Sequence, residues 1–224
     1  MTALFITSTG TDIGKTFVAR GMIRHLHDRG RGVDAIKPVV SGFRPSTVAR
    51  SDPGLLLATL GRPITIAEVE RISPWRFTAP LSPDMAALRE DRRIDFDALL
   101  AFCRNAVAQT PDVLLIEGVG GVMVPLDEQQ TVLDWMSALA LPAILVVGNY
   151  LGTISHTLTA LDVLLRRGIR LASIVVSETA SAVSLDDNAA TIARFAGGIE
   201  VLSLPRLSRH SFRHPAFIQL TAGL

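Results

Sequence analysis

The most informative part of the chain is the polar stretch Ser8-Thr9-Gly10-Thr11-Asp12-Ile13-Gly14-Lys15-Thr16. It follows the apolar run 3–6 and precedes residues 17–19, where a helical pattern of apolar residues begins. A strand, a tight polar turn and a helix in this order are the context of a phosphate-binding loop. Because the backbone N–H groups of such a turn and the positive end of the helix attract polyphosphate, we predict a nucleotide site here.

Two side chains of this loop have predicted roles. Lys15 would place a positive charge near the β- and γ-phosphate oxygens, and the Thr16 hydroxyl would ligate a Mg²⁺ that bridges them. The loop departs from the pattern G-x-x-x-x-G-K-S/T, because position 9 is Thr9 and the glycine comes one place later, at Gly10. From these residues alone, an ordinary glycine-containing turn with an exposed lysine remains the alternative.

Composition excludes several classes of protein. The 224 residues carry a formal net charge of +1, which argues against a dedicated binder of nucleic acid or of membrane surfaces. Nearly half of the residues are apolar, 48%, which argues against disorder. We expect no signal peptide and no membrane span, since the longest apolar stretch, near 138–148, is too short and contains Pro142. The single cysteine, Cys103, cannot form an internal disulfide, so we expect a reduced, cytoplasmic protein.

Strand and helix patterns alternate along the chain, which predicts a single α/β domain over residues 1–224 with a mostly parallel, doubly wound sheet flanked by helices. With the phosphate loop, this is the class of a P-loop NTPase. Residues 41–52 are predicted to be a polar loop. Residues 62–93 contain four prolines and are predicted to be a long irregular segment with a functional role. The predicted strands are 3–6, 33–36, 112–117, 143–147, 171–176 and 201–204, and the predicted helices are 15–29, 55–60, 94–107, 131–139, 153–167 and 185–195.

Further polar residues follow predicted strands. Glu117 ends a continuous apolar run that is typical of a buried parallel strand, and an acid at that end suits the Mg²⁺ of a nucleoside triphosphate site. The glycine-rich residues 118–121 would let the backbone approach phosphate. Lys37 precedes Pro38 at a strand's carboxyl edge, where open α/β sheets bind ligands. Asp52, taken alone, is interpreted as a helix cap.

Six segments, in this order, resemble the dethiobiotin synthetase family: the phosphate loop, Ile36-Lys37-Pro38-Val39-Val40-Ser41-Gly42, Ser51-Asp52, Pro80-Leu81-Ser82-Pro83, Glu117-Gly118-Val119-Gly120-Gly121 and Val147-Gly148-Asn149-Tyr150-Leu151-Gly152-Thr153-Ile154-Ser155-His156. The resemblance implies a ligase of biotin biosynthesis that uses ATP and Mg²⁺. In that family CO₂ or bicarbonate and 7,8-diaminopelargonic acid give a carbamate, ATP phosphorylates it, and ring closure yields dethiobiotin, ADP and phosphate.

The resemblance also implies roles for individual residues. Lys37 and Lys15 would be catalytic, with Lys37 stabilising the carbamate, and Thr11 and Ser41 would hydrogen-bond the carbamate or diamine end. Thr16, Asp52 and Glu117 would ligate Mg²⁺. The nucleotide would contact Asp12, Ile13, Gly14, Lys15, Thr16, Phe17, Asp52, Glu117, Gly118, Val119, Gly120, Ser177, Glu178, Pro205, Arg206 and Leu207.

A further turn implies the quaternary structure. Gly152, Thr153 and Ser155 open a predicted helix whose N–H groups would bind the substrate carboxylate. In the family this turn serves the active site across a dimer interface, so we predict a homodimer with active sites at the interface.

The chain departs from the family at one recognised position. Ser177-Glu178 stands where the family commonly carries Asn-Asp, and a serine hydroxyl cannot match the paired donor and acceptor of an asparagine amide. Preference for ATP over other triphosphates is therefore not established by the sequence. Arg209, His210, Arg213 and His214 are assigned no role beyond solvation.

Two other functions remain to be compared with the synthetase. One is a P-loop ATPase or GTPase that acts as a switch or metallochaperone. A ParA/MinD-type ATPase would carry the pattern K-G-G-x-G-K-S/T, but this chain has Gly10 at the first lysine, and the guanine reader Asn-Lys-x-Asp does not occur. The other is a non-catalytic regulatory module that kept the fold. The presence of Lys15, Thr16, Lys37 and Glu117 argues against it.

Overall fold

A computed structural model describes residues 2–180, 183–207 and 211–224, so the predictions for Arg209 and His210 lie outside the described residues. The strands are β1 (Thr2–Ser8), β2 (Val33–Ile36), β3 (Val39–Ser41), β4 (Trp75–Phe77), β5 (Val113–Glu117), β6 (Ala143–Asn149), β7 (Leu171–Glu178) and β8 (Glu200–Leu204). The main sheet has the order β2-β5-β1-β6-β7-β8. Each pairing in it is parallel, which confirms the predicted fold class.

The helices are α1 (Lys15–Asp28), α2 (Asp52–Thr59), α3 (Ile66–Ile72), α4 (Pro83–Leu88), α5 (Phe96–Gln109), α6 (Val132–Leu139), α7 (Thr153–Arg166), α8 (Leu185–Phe195) and α9 (Pro215–Leu220). Helix α1 packs against β1, β2 and β5, and also contacts α2 and α9, whereas α7 and α8 pack together along β6 and β7. Within the described residues, no helix combines the length and the apolar character needed to cross a bilayer.

The centre of the sheet is apolar and buried because β1, β5 and β6 lie between other strands and helices pack over them. Parallel strands buried in this way are continuous apolar runs, as these three are. Phe5 of β1 packs edge-on against Trp135, with ring centroids 4.8 Å apart. After β1, the chain first forms β2 and β5 on one side of β1 in the sheet, and it later forms β6 on the opposite side of β1. This change of direction leaves a crevice at the carboxyl end of β1, where ligands bind in open α/β sheets.

Two predictions for the segment between β2 and β5 were wrong. Residues 62–93 contain α3, β4 and α4, and residues 41–52 contain a 3-10 helix, Pro45–Arg50. The prolines of residues 62–93 led to the prediction of an irregular segment. Pro83, however, lies at the start of α4, where its missing N–H is not needed. Strand β3 pairs with β4 in a separate two-stranded sheet, so Ser41 ends a strand rather than opening a loop.

The prediction that Asp52 caps a helix was also wrong. Ser51 is the cap of α2, and its hydroxyl accepts a hydrogen bond from the Gly54 N–H at 3.3 Å. Asp52 is the first residue of the helix, and its carboxylate is therefore free to contact groups outside the helix. The other predicted helices and strands differ from the structure by a few residues at their ends, and α9 was not predicted.

Candidate active site

The phosphate loop connects β1 to α1 at the crevice. Gly14 has φ of 112° and caps α1, and this left-handed conformation favours glycine because it has no Cβ. Asp12 also has a positive φ, 58°. A Cβ on Gly14 would lie 2.9 Å from the Ser177 hydroxyl, so the loop also lies close to the end of β7.

Lys15 is buried inside this loop, with 6% of its surface exposed. Its Nζ donates hydrogen bonds to Ser8 Oγ at 2.9 Å, to the Gly10 carbonyl at 3.0 Å and to the Gly120 carbonyl at 2.7 Å. Burial, and next the charge of Lys37, lower the pKa of Lys15 to about 8. Two cations therefore share one site, and an added anion would be stabilised by both of them.

Lys37 follows β2 and is 3% exposed. Its Nζ lies 2.6 Å from Glu117 Oε1 and 3.1 Å from Asp52 Oδ2, and it also donates to the Gly118 carbonyl at 3.2 Å. Burial alone would lower the pKa of Lys37, but the charges of Glu117 and Asp52 outweigh burial and raise it. Lys37 is therefore held as a cation and is unsuited to act as a general base near neutral pH.

The two carboxylates around Lys37 differ in their surroundings. Glu117 ends β5, beside Ile6 of β1, and burial raises its pKa although Lys37 opposes the shift. Burial would likewise raise the pKa of Asp52, whose side chain is 44% exposed, but Lys37 and Thr16 lower it overall. Asp52 is therefore ionised at neutral pH, beside the buried ion pair of Lys37 and Glu117.

Thr16, Asp52 and Glu117 were the predicted magnesium ligands, and the structure brings them together. The Thr16 hydroxyl donates to Glu117 Oε1 at 2.6 Å. Glu117 Oε2 is buried without a hydrogen-bond partner among the described residues. No cluster of three His, Cys, Asp or Glu side chains suited to a metal occurs in those residues. Two carboxylates and a hydroxyl nevertheless fit Mg²⁺, which prefers oxygen ligands, keeps several waters and is shared with substrate phosphates.

These groups line a cavity of about 790 Å³. The predicted residues Thr11 and Ser41 lie there with both lysines, and Ser41 Oγ is buried without a partner among the described residues. Several lining residues had been assigned no role. Val40, Gly42 and residues 80–83 lie in two of the segments that carry the resemblance, whereas Val124 lies in none of them. The lining consists of Thr11, Asp12, Gly14, Lys15, Thr16, Lys37, Val40, Ser41, Gly42, Asp52, Pro80, Leu81, Ser82, Pro83, Glu117, Val119, Gly120 and Val124.

Other predicted nucleotide-binding residues lie outside this lining. Ile13 is buried in the hydrophobic core, and Phe17 packs against Phe212 at 5.2 Å between ring centroids. Gly118 approaches Phe5 so closely that a Cβ would lie 2.8 Å from that ring. At the end of β7, Glu178 Oε2 accepts a hydrogen bond from the Arg206 N–H at 2.6 Å, which joins β7 to residues 205–207.

The turn before α7 is separate from the cavity. Gly152 caps the helix with φ of 98° and is exposed, as is Ser155. Thr153 is fully buried, its hydroxyl donates to the Gly148 carbonyl, and its N–H donates to the Tyr150 carbonyl at 3.0 Å. Thr153 therefore organises the turn within its own chain, while Gly152 and Ser155 face outward.

The parallel sheet and the lysine-containing loop between β1 and α1 define a P-loop NTPase. Solved structures agree on the fold: the MinC:MinD complex of Aquifex aeolicus has a TM-score of 0.55 at 13% identity, covering 98% of this chain and 86% of that chain. MinD of Pyrococcus horikoshii complexed with Mg-ADP has a TM-score of 0.52 at 17% identity, with coverage of 98% and 93%. A family model described as an AAA domain matches residues 2–211.

Sequence relatives identify the family. The chain is 52% identical over 178 residues to the ATP-dependent dethiobiotin synthetase BioD of Acidiphilium cryptum, covering 79% of this chain and 80% of the relative. It is 48% identical over 207 residues to that of Caulobacter sp. strain K31, covering 92% and 89%. The chain therefore belongs to the ATP-dependent dethiobiotin synthetase family, which confirms the resemblance in its motifs.

Proposed function

We propose that the cavity between the phosphate loop and Lys37 is where this ligase makes dethiobiotin through a phosphorylated carbamate. Membership of the family gives the overall reaction: ATP-dependent formation of dethiobiotin in biotin biosynthesis, with ATP as a co-substrate. The observation that carries the site assignment is the joint position of Lys15, Lys37 and Glu117 in one buried cluster beside the cavity.

The reaction has three steps. One amine of 7,8-diaminopelargonic acid adds to CO₂ and loses a proton, which gives a carbamate. A carbamate oxygen attacks the γ-phosphorus of ATP, ADP leaves, and a carbamic-phosphoric anhydride forms. The second amine then attacks the carbamate carbon, the C–O bond to phosphate breaks, and the ureido ring closes with loss of a proton. Negative charge is concentrated at the carbamate and the transferred phosphoryl group throughout.

Lys37 fits the role of stabilising this charge. Its ammonium group stays protonated in the presence of Glu117 and Asp52, so it can donate hydrogen bonds to an anion without a proton transfer. Thr11 and Ser41 line the same cavity, and the Ser41 hydroxyl, which has no partner in the described part of the chain, is available to hold the carbamate or the diamine. Phosphoryl transfer mainly requires positioning and neutralised charge, which this set of residues supplies.

Lys15 and the loop backbone fit the triphosphate. We assign Asp12, Gly14, Val119 and Gly120 to the phosphates because they line the cavity. Thr16, Asp52 and Glu117 would hold Mg²⁺, which when bound neutralises and orients the phosphates. Ser177, Glu178 and residues 205–207 are assigned to the base end, supported by the hydrogen bond that joins Glu178 to Arg206.

The diamine carboxylate is assigned to the turn before α7. Gly152 and Ser155 are exposed at the N-terminus of a 14-residue helix, where backbone N–H groups and the helix dipole favour an anion. Because this turn lies outside the cavity of its own chain, we propose that it serves the site of a second copy in a homodimer. We also propose a cytoplasmic location. The free, buried thiol of Cys103 is consistent with this location.

An ADP-release assay tests the proposed function. We expect ADP to form only when the diamine and bicarbonate are both present, because the carbamate is the phosphoryl acceptor. ADP formation without them would indicate a switch ATPase, and none under any condition would indicate a regulatory module. Either result would contradict the proposal.

A further inference from the structure

Ser8 lies at the centre of the phosphate loop, although no predicted role falls on it. It is the last residue of β1 and is completely buried. Its hydroxyl oxygen accepts hydrogen bonds from Lys15 Nζ at 2.9 Å and from the Gly10 N–H at 3.3 Å. The same hydroxyl lies 2.9 Å from the Gly120 carbonyl and also contacts the Gly10 carbonyl, either of which can accept its proton. A hydroxyl has one proton to donate and two lone pairs, so its capacity is filled.

The hydrogen-bonding capacity of the Lys15 ammonium group is also fully used. An ammonium group has three N–H donors, and those of Lys15 are directed at Ser8 Oγ, at the Gly10 carbonyl and at the Gly120 carbonyl. A phosphate oxygen can therefore reach Lys15 only by replacing one of these contacts. Gly120 lines the cavity, whereas Ser8 lies behind it and is not part of the lining. Of the three residues that accept from Lys15, Gly120 is the one that lines the cavity, so its carbonyl is the contact that an incoming ligand would replace.

We infer that Ser8 is a positioning residue that lets Lys15 exchange the Gly120 carbonyl for a phosphate oxygen. Ser8 holds the ammonium group from the buried side during the exchange. Its own O–H then supplies the donor that the Gly120 carbonyl would otherwise lack, and an unpaired buried carbonyl is unfavourable. The inference rests on the proposed role of Lys15 at the nucleotide phosphates.

Ser8 also contacts the neighbouring loop, so the loss of its hydroxyl would affect more than the position of Lys15. The backbone N–H of Val122, the residue after the 118–121 loop, donates to the Ser8 carbonyl at 3.0 Å, and the Ser8 hydroxyl contacts the Gly120 carbonyl inside that loop. That loop follows Glu117 directly. Ser8 therefore connects the loop that carries Lys15 to the loop that begins at Glu117.

A matched pair of variants tests the inference. Ser8→Ala removes the hydroxyl that contacts Lys15, and Thr7→Val removes the neighbouring hydroxyl on β1, which is buried without a hydrogen-bond partner among the described residues. Because hydrogen bonds to charged groups are the stronger ones, we expect Ser8→Ala to lower kcat/KM for ATP about tenfold. The loss should appear mainly as weaker ATP binding, with Thr7→Val close to the parent protein. Melting temperatures of both variants report on folding.

The outcomes separate the inference from the proposed function. The inference is overturned if Ser8→Ala behaves like Thr7→Val, or if it tightens ATP binding, since Ser8 would then only hold Lys15 away from the ligand. A Lys15→Met variant tests the assumption beneath it: unchanged use of ATP would refute the proposed role of Lys15. If Lys15→Met is impaired, adding Ser8→Ala should cause little further loss in ATP binding, because the coupled contact is already gone. Where Ser8→Ala does not fold, Ser8→Cys keeps a similar shape with a weaker acceptor and should show the same direction.

Discussion

The two candidate substrate regions of the chain differ in how complete they are. At the carboxyl ends of β1, β2 and β5, Lys15, Lys37 and Thr16 are already paired with acceptors from the same chain. At the turn before α7, by contrast, Gly152 and Ser155 are exposed and Leu151 is 90% exposed. Under the proposed function, one chain would assemble the phosphoryl-transfer site by itself, whereas the proposed carboxylate site would require a second surface.

The largest effect is expected at Lys37, in the region where the phosphoryl-transfer groups are already paired. Lys37→Met should lower kcat about 100- to 1,000-fold, as expected for removing a preorganised group that stabilises developing negative charge. It should leave ATP binding within a few-fold, because Lys15 and the loop backbone remain. Steady-state kinetics and calorimetric titration with ATP measure the two effects separately. Equal losses of ATP binding and of turnover would contradict the division of labour between the two lysines.

A charge at the α7 turn should disturb only the other region. Ser155→Glu places a carboxylate where the carboxylate of the diamine is proposed to bind, and like charges repel. We expect KM for the diamine to rise at least about tenfold, with ATP binding unchanged. Ser155→Gln is the matched control, since it has the same size without the charge and should have a much smaller effect. A comparable rise in both variants would mean that packing rather than charge causes the effect, which would contradict the prediction.

A smaller effect is expected from pH. The pKa of Lys15 in the ligand-free chain is lowered to about 8, so its ammonium form is lost as pH rises through that value. The charged form of Lys15 favours phosphate binding alongside loop N–H groups that do not titrate, and ATP affinity should therefore fall by a few-fold between roughly pH 7 and 9. Lys37, whose pKa is raised, stays charged over this range. ATP titrations at several pH values measure the effect, and an affinity independent of pH above 8 would contradict it.

Much of the phosphate side could be predicted because its signals are local in sequence. Lys15 and Thr16 open the helix that follows β1 after a short loop, and Glu117 ends an apolar run, so adjacent parallel strands bring them together. The role of Asp52 depended on which of two neighbouring residues caps α2, a choice made by the Ser51 hydroxyl in three dimensions. Strand β4 has three residues and pairs with β3, so its signal was too short to distinguish from a loop.

Ser8 illustrates a limit of a different kind. A serine at the end of a strand has no distinctive pattern, and its importance arises from contacts with Lys15 and with Gly120, more than a hundred residues away. The proposed quaternary role of the α7 turn is similar, since Leu151 and Ser155 are exposed among the described residues. Both features depend on groups that the local sequence does not specify.

The central claim is that each chain builds its own phosphoryl-transfer site and that its α7 turn completes the site of the other chain. Mixing two impaired variants tests this claim most directly. In a mixed dimer of Lys37→Met and Ser155→Glu chains, one site would have an intact Lys37 and an intact turn. Random mixing, assayed at a diamine concentration well below KM, should therefore restore about a quarter of the parent activity, with the dimeric state of each variant checked first. No recovery after chain exchange between stable dimers would contradict the account, because the turn would then serve the site of its own chain or none.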